Sequence, residues 1–396
     1  MDLFLEFSKD LPSPEVFRKW TAIHAIGACA ERRMWTQFGR LKLHPNLFIF
    51  LVGPPGTGKT IALNPMSAIL RKAQAVTLAP NDITKQGLLD CLGAAARGAM
   101  LNGRPFDYHF LALHIAELSN FMSQYDHALA GILTDLFDCP EANDEKKRGH
   151  DKGKLIPFPG ISMIVGTATQ NLGSTIAQEM WGSGFMARVI MVYSADDIRP
   201  ADRFKAVEEN CEIEDELVAG LRRIGDMVGP MEWDLMARAS LNEFALSQED
   251  GAPLHNRLTH YVRRRWLHLA KLCMIAALSD ERQNVTLDDF TLGYSWLTEA
   301  EAQMTEVFKD LHSHEDGQLH EELRSQMFAI FASAHKPIPA AYIYKWLSQR
   351  CASHSIQRVL DIAVAADYLR RVAGTEGDDA LYIPQPPKGS KDLNAL

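Results

Sequence analysis

The sequence has no Cys-x-x-Cys pair. Its six cysteines, Cys29, Cys91, Cys139, Cys211, Cys273 and Cys351, lie far apart. That spacing excludes zinc knuckles and dithiol redox motifs. Thiols in apolar helical contexts point instead to a reducing, cytoplasmic setting. Long hydrophobic runs are also missing, and no stretch reaches the roughly 18–20 apolar residues of a membrane span. The opening residues, MDLFLEFSKDLPSPEVF, have no basic head, continuous apolar stretch or small-residue cleavage site. They are read as neither signal nor transit peptide. Positive charge is in deficit, with 41 Lys and Arg against 50 Asp and Glu and a formal net charge of −9. This argues against a protein coated in positive charge, but not against nucleic-acid binding confined to a basic loop or channel. His312, His314 and His320 have no fixed ligand geometry and are not read as a metal site.

What remains is an ordinary globular composition over 396 residues, 46% hydrophobic and 23% charged. That length suits two or three domains of roughly 100–200 residues. Residues 53–60 read GPPGTGKT. The apolar run LFIFLV, Leu47–Val52, precedes them and suits a strand buried on both faces. IALNPMSAILRKAQ follows and reads as a helix, with a kink or short break expected at Pro65. Strand, glycine loop and helix in this order make a P-loop. Its glycines let backbone N–H groups curl around phosphates, and the helix N-terminus adds partial positive charge. Lys59 reaches the β- and γ-phosphates, and Thr60 offers its hydroxyl to Mg²⁺. The nucleotide-binding set is Gly53, Pro54, Pro55, Gly56, Thr57, Gly58, Lys59, Thr60 and Ile61, with ATP and Mg²⁺ as ligands.

Hydrolysis needs a carboxylate on a neighbouring strand. DYHFLALHIAEL, Asp107–Leu118, ends its apolar core at Glu117. Glu117 is the expected catalytic base and a metal contact, with a helix-cap carboxylate as the bland alternative. Many P-loop ATPases carry Asp before this Glu; here the position is Ala116. Asp135 or Asp138 are candidates for the second metal contact. The next strand, GISMIVGTATQNL, ends in Thr167, Thr169, Gln170 and Asn171. Open α/β sheets bind ligands at such ends, so Thr169 and Asn171 are candidate γ-phosphate sensors. A last strand, ARVIMVYS, begins beside Arg188, which reads as a phosphate contact within its own subunit, a finger across an interface, or a surface salt bridge. AVTLA, Ala75–Ala79, makes the fifth strand. The expected fold is α/β with a central five-stranded, mainly parallel sheet and the acidic strand not adjacent to the P-loop strand.

PEANDEKKRGHDKGKLIPFP, residues 140–159, carries Lys146, Lys147, Arg148, His150, Lys152 and Lys154. It reads as a hairpin or mobile loop. Such a run is either a solvated surface loop or, placed in the hole of a ring, a loop that tracks a DNA backbone.

EVFRKWTAIHAIGACAERR, PNLFIFLVGPPGTGKT, APNDITKQGLLDCL, AELSNFM, GTATQNL and GSGFMARVIMVY follow one another in order. Together they resemble the P-loop proteins of phages, prophages and plasmids that carry replicative-helicase-like domains, often beside primase domains. These are relatives of the superfamily 3 and wider AAA+ ATPases. The resemblance covers roughly residues 12–310 by motif order, and only the P-loop is specific by itself. It implies a homo-oligomeric, hexameric ring that hydrolyses ATP and moves on DNA, in the host cytoplasm if phage-encoded. It carries over Lys59 and Thr60 as ATP and Mg²⁺ ligands, Glu117 as catalytic, Asn171 as sensor and Arg188 as finger or sensor. Lys146–Lys154 would be a pre-sensor hairpin. Ala116 departs from the usual pair of acids and puts robust hydrolysis in doubt. No primase zinc or polymerase motif is present, so priming would belong to another chain.

Further along, residues 201–311 read as a helical lid, with Thr286 as a helix N-cap and the Arg263–Arg264–Arg265 triplet as either a ligand contact or a face paired with acids. His312–Gln318 reads as a linker. Residues 319–384 give three helices and a hairpin across GTEGDD, the order of a winged helix. Its third helix starts at Ser353 or Ser355. Gln357 and Arg358 would face DNA if that helix is a recognition helix, and wings also serve as protein contacts. Residues 385–396 read as a disordered tail. The expected domains are thus 1–45 helical, 46–200 ATPase core, 201–311 lid and 319–384 winged helix. Three functions stay open: a DNA helicase or translocase acting on single strands, a helicase loader or initiation ATPase working as a nucleotide switch, and a transposition or defence regulator. The second and third would recruit a partner protein through the C-terminal module.

Overall fold

The computed structural model describes residues 1–80, 83–124, 126–144, 155–198, 211–247, 249–351, 355–372, 374 and 380–385. They form two compact units, Met1–Phe308 and Lys309–Leu396. Among the described residues no helix is long and apolar enough to cross a membrane.

The first unit opens with α1 (Asp2–Phe7) and α2 (Glu15–Ala30). α2 has no polar stripe: Phe17, Trp20, Ile23, Ala25, Ile26 and Ala28 are all buried. The helix is buried on almost every side, Arg18, Thr21 and His24 included, so it needs cover all round. The expected helical region 1–45 ends differently, in a hairpin of β1 (Met34–Phe38) and β2 (Leu41–Leu43). The turn falls at Gly39, whose φ of +59° suits glycine. β3 (Phe48–Gly53) is buried along its whole length, as its unbroken apolar run requires. α3 (Lys59–Ala73) runs through Pro65 without the expected break. The carbonyl that proline orphans belongs to Ile61, on an exposed turn that water reaches.

α4 (Lys85–Ala94) is capped by Thr84, whose hydroxyl accepts the Gly87 N–H at 3.2 Å. β4 (Ala96–Leu101) and β5 (Arg104–Ile115) follow as an antiparallel hairpin. α5 (Leu118–Phe121) and α6 (His127–Phe137) lead to a second hairpin, β6 (Ala142–Asp144) with β7 (Leu155–Pro157). Then come β8 (Pro159–Ala168), α7 (Thr169–Thr175), α8 (Gln178–Trp181) and β9 (Val189–Tyr193). The central sheet runs β4-β5-β8-β3-β9 and is parallel except for β4 against β5. As expected, β8 separates β5 from β3. The fifth strand is not Ala75–Ala79, however. That segment makes one parallel bridge, Leu78 to Ala112, with Ala79 N–H donating to Ala112 O at 2.8 Å. β5 is twelve residues long, so its edge is shared: β4 covers Arg104–His109, and Thr77–Ala79 touches it further along.

α9 (Cys211–Asp226) packs on α2 and α3. β10 (Gly229–Pro230) adds to β1, and β11 (Glu232–Trp233) pairs with β12 (Asn284–Val285). Between these short strands lie α10 (Leu235–Leu246), α11 (Thr259–Val262) and α12 (Arg265–Ser279). α12 also packs on α2. The expected lid is therefore not a separate body up to residue 308; its helices supply the cover that apolar α2 demands. α13 (Leu287–Ala334) starts after Thr286, whose N–H and hydroxyl both bond Asp289 Oδ2. The helix continues through residues 312–318, where a linker was expected. The one glycine there costs a helix only about 1 kcal/mol.

In the second unit β13 (Ile338–Pro339), α14 (Ala340–Leu347), α15 (Ile356–Ala365), β14 (Leu369–Arg371) and β15 (Leu381–Pro384) follow the end of α13. The strands form an antiparallel sheet in the order β13-β15-β14. Leu323, Met327, Ile343, Leu347, Val359 and Leu360 make its core. Gln357 and Arg358 lie on the exposed face of α15. α15 begins after Ser355, which makes no side-chain cap bond. Ser353, the hairpin tip and the tail 386–396 lie outside the described residues.

Candidate nucleotide-binding site

β3, β5 and β8 end together at one pole of the sheet. Register pairs Gly53 with Ala168 and Ile115 with Val165, which sets Gly53, Glu117 and Thr167 at the same level. The Gly53–Thr60 loop leaves β3 here and enters α3. Gly56 and Gly58 take φ of +87° and +79°, left-handed values that disfavour any side chain. Gly58 also leaves room for the N-terminal segment: a Cβ there would run into Pro12 O and come within 2.8 Å of Ser13 Cα. A Cβ on Gly53 would strike Ser194 O, just past β9. The loop is thus wedged between two segments far away in sequence. Pro55, Gly56, Thr60 and Ile61 remain exposed, while Thr57 is buried and donates its hydroxyl to Pro54 O at 2.9 Å.

Lys59 is largely buried. Its Nζ donates to Gly53 O and Pro54 O, both at 2.8 Å, and to Thr57 Oγ1 at 3.1 Å. Burial lowers its pKa from the ordinary lysine value, and the Glu117 carboxylate opposes that shift. The ammonium is therefore held at the loop and feels the carboxylate two strands away. Between them stands Gly166 of β8. A Cβ there would lie 2.7 Å from Ala116 O and 3.4 Å from Lys59 Cβ. Glu117 is half-exposed at the N-terminus of α5, and the Thr167 hydroxyl lies 3.2 Å from its Oε1. The preceding Ala116 is exposed and offers no carboxylate.

The other expected site residues fall elsewhere. Thr169 and Asn171 are not on a strand tip, because β8 stops at Ala168 and both belong to α7. Thr169 is fully buried, and its hydroxyl has no hydrogen-bond partner among the described residues. Asn171 is half-exposed on a helix that packs beside α5. Arg188 lies at the far end of its strand. Val189 pairs with Phe48, so Arg188 sits six residues below Gly53, about 20 Å at 3.3 Å per residue. Its guanidinium is anchored to Asp138 and to Gly184 O (2.7 Å). A phosphate contact within its own subunit is excluded by that placement, and of the three readings an ion pair is what the fold makes. Asp138 is engaged by the same pair and by Arg264 at 3.6 Å, so it does not supply a second metal contact. Asp135 is exposed on α6. Of the arginine triplet, Arg265 is buried against Glu301, Arg264 faces Asp138, and Arg263 is exposed. Lys146, Lys147, Arg148, His150, Lys152 and Lys154 lie outside the described residues. The β6–β7 ladder that closes the base of their insertion is in place, at the N-terminal end of β8.

Sequence reasoning missed several groups at this pole. Thr167 was in view as one of several polar residues after an apolar run, but its partner was not. Gly166 carried no signal beyond a glycine within a strand. Pro12–Ser13 and Ser194 lie too far from the loop in sequence for any local pattern to join them. Asp196, whose N–H bonds Ser194 Oγ at 3.2 Å, brings an exposed carboxylate to the segment that abuts Gly53.

The residues present suit a nucleotide phosphate with Mg²⁺. The loop has left-handed glycines, a held ammonium and an exposed threonine at a helix N-terminus. Among the described residues no group of three or more His, Cys, Asp or Glu is placed to hold a metal ion. A Mg²⁺ ion would then take most of its oxygens from phosphate and water, with Thr60 and Glu117 as the protein's contribution. No protein-family model matches the chain, and no curated protein matches it significantly.

Proposed function

We propose that the chain is a P-loop ATPase that works on DNA as a ring-forming helicase or translocase of a phage or mobile element. One observation carries the ATPase reading: Lys59 on the glycine loop and Glu117 at the end of β5 converge at one pole, separated only by Gly166 of β8. In this reading Lys59 turns from the loop carbonyls to the β- and γ-phosphates, and Glu117, oriented by the Thr167 hydroxyl, polarises the attacking water. Mg²⁺, held in part by Thr60, would neutralise charge on the phosphate oxygens. Arg188 enters only across a subunit interface, after release from Asp138. The basic insertion and the second unit, read as a winged helix with Gln357 and Arg358 outward, support the DNA part.

The first test is ATP turnover with and without single-stranded DNA, beside Lys59→Ala. Strong stimulation in the wild type and loss of turnover in the variant are expected. Wild-type turnover in Lys59→Ala would remove the site. Neutralising Lys146, Lys147 and Arg148 together should keep basal turnover and abolish DNA stimulation; unchanged, equally salt-dependent DNA binding would exclude the insertion as the contact.

A second reading rests on a specific observation. Ala116 provides no carboxylate and Asp138 is tied to two arginines, which leaves the metal side of the site short of an acid. Slow turnover indifferent to DNA would favour a nucleotide switch, a helicase loader or initiation ATPase that recruits a protein.

A further inference from the structure

The pole of the sheet opposite the P-loop holds a cavity of about 560 Å³. β8 has ten residues, Pro159–Ala168, so this pole lies roughly 30 Å from the glycine loop at about 3.3 Å per step. Cations and aromatic rings line it together: Arg32, Lys42 and Arg104 with Trp35, Phe106 and Phe158. Among the described residues no Asp or Glu is in the lining. Arg32 and Lys42 both feel the Glu141 carboxylate, which lies outside it.

The cations are held by rings and carbonyls, not by acids. Lys42 Nζ lies 3.9 Å from the centre of the Trp35 ring, and the Arg32 guanidinium 5.6 Å from that of Phe158. Arg32 also donates to Pro140 O (2.7 Å) and Pro159 O (2.6 Å), which pins the base of the β6–β7 hairpin beside the cavity. Such contacts position a cation without neutralising it. Burial, and then the neighbouring Arg32, lower the Lys42 pKa, and Cys139 and Glu141 oppose that shift only in part. Arg104 is exposed and makes no ion pair among the described residues.

Phe158 carries the second line of argument. Its φ is +46°, a left-handed backbone that a bulky residue adopts at a cost. Folding alone would favour Gly or Asn there. The strained backbone nonetheless presents a large ring that is 43% exposed. Cations that no ion pair holds among the described residues ask for an anion, and exposed rings ask for a flat apolar partner. A phosphate bearing a base satisfies both, and a volume of this size suits one nucleotide.

We propose that this cavity is a contact for single-stranded nucleic acid: one base of the strand stacks on Phe158 and Phe106, and the adjoining phosphate pairs with Arg104 and Lys42. The proposal deepens the DNA reading above and rests on it. It places a strand contact far from the ATP pole, at the root of the hairpin insertion. A free nucleotide has the same chemistry as one unit of a strand, so the test separates the two.

The experiment uses the full chain and a single-stranded oligonucleotide bearing 5-iodo-deoxyuridine, with cross-linked residues mapped by mass spectrometry and affinity followed by fluorescence anisotropy over a salt series. Cross-links on Phe158 or Phe106 are expected. Phe158→Asn keeps the left-handed backbone and removes the ring; Arg104→Glu reverses an exposed charge. Each should weaken oligonucleotide binding by about tenfold or more, with basal ATP turnover and thermal unfolding unchanged. Arg104→Glu should also flatten the salt dependence by roughly the 0.7 log–log units of one phosphate on a single strand. Unchanged affinity in both variants, with cross-links elsewhere and turnover still stimulated by DNA, overturns this site and leaves the DNA reading standing. Failure of the wild type to bind any oligonucleotide overturns both. Complete competition by deoxythymidine monophosphate, binding as tightly as the oligonucleotide, overturns the strand in favour of a free nucleotide.

Discussion

At the residue scale, buried charge is tolerated only where its partners are complete. Glu301 accepts from Arg265 Nε (2.8 Å), from Arg265 Nη2 (2.6 Å) and from the Tyr261 hydroxyl (2.9 Å), and both partners are buried. Removing one member leaves the other charged and unsolvated. Glu301→Leu should therefore cost about 3–5 kcal/mol, read as a lower urea midpoint. A loss under about 1 kcal/mol would mean that water reaches Arg265. The same logic explains why the partner of Arg188 was not legible in the sequence. The sequence places an arginine before a strand, but only the fold supplies Asp138, fifty residues earlier.

At the scale of elements, close packing overrides local propensity. Gly27 sits in the middle of α2, where Ala would ordinarily gain about 1 kcal/mol. Here a Cβ would run into Pro45 O and approach Ile275 Cδ1 of α12 at 2.9 Å. The backbone oxygen cannot step aside cheaply, so Gly27→Ala should destabilise by about 1–3 kcal/mol. Chemical denaturation checks the sign, and a stabilised variant would show that α2 and α12 can slide apart. The sheet makes the same point. AVTLA has the apolar run of a strand, yet β4 occupies part of the β5 edge and leaves Ala75–Ala79 a single bridge. Edge competition depends on which segments meet, and no window of sequence contains both. α3, β3 and β8 were readable because a buried strand and a loop-to-helix motif are local patterns.

At the scale of the whole molecule, stability should depend on acid in one direction. Burial holds His114 and His268 down to about 3, with Arg71 adding to the effect on His114. Burial also pushes His24 and His44 well below the ordinary histidine range. The unfolded chain protonates these residues near 6.5, whereas the folded chain resists. The unfolded state then binds more protons, so stability is fully present above about pH 6.5 and is lost as pH falls toward about 3. Glu31 works the other way: burial raises its pKa to about 6 from 4.5, which favours the fold as pH drops across that interval. One smaller shift opposes four larger ones, so the histidines decide the sign. The urea midpoint should fall from pH 7 to pH 5, and His268→Gln should reduce the fall. A midpoint flat over that range would mean that the buried imidazoles open to solvent.

The sequence by itself determined the motif and its setting: a glycine loop between a doubly buried strand and a helix, an apolar strand that runs into an acid, and a terminal module of helices and a hairpin. These follow from local rules, the left-handed demand on Gly56 and Gly58, the period of apolar residues and the turn chemistry. Only the tertiary structure decided which distant groups share a pole. It set Pro12, Ser13 and Ser194 against the loop, moved Arg188 and Asp138 to the opposite end, and gathered Arg32, Lys42, Arg104 and Phe158 around one cavity. The reason is strand register: a residue's height on the sheet fixes which ligand it can meet, and register is a property of paired strands rather than of either strand alone.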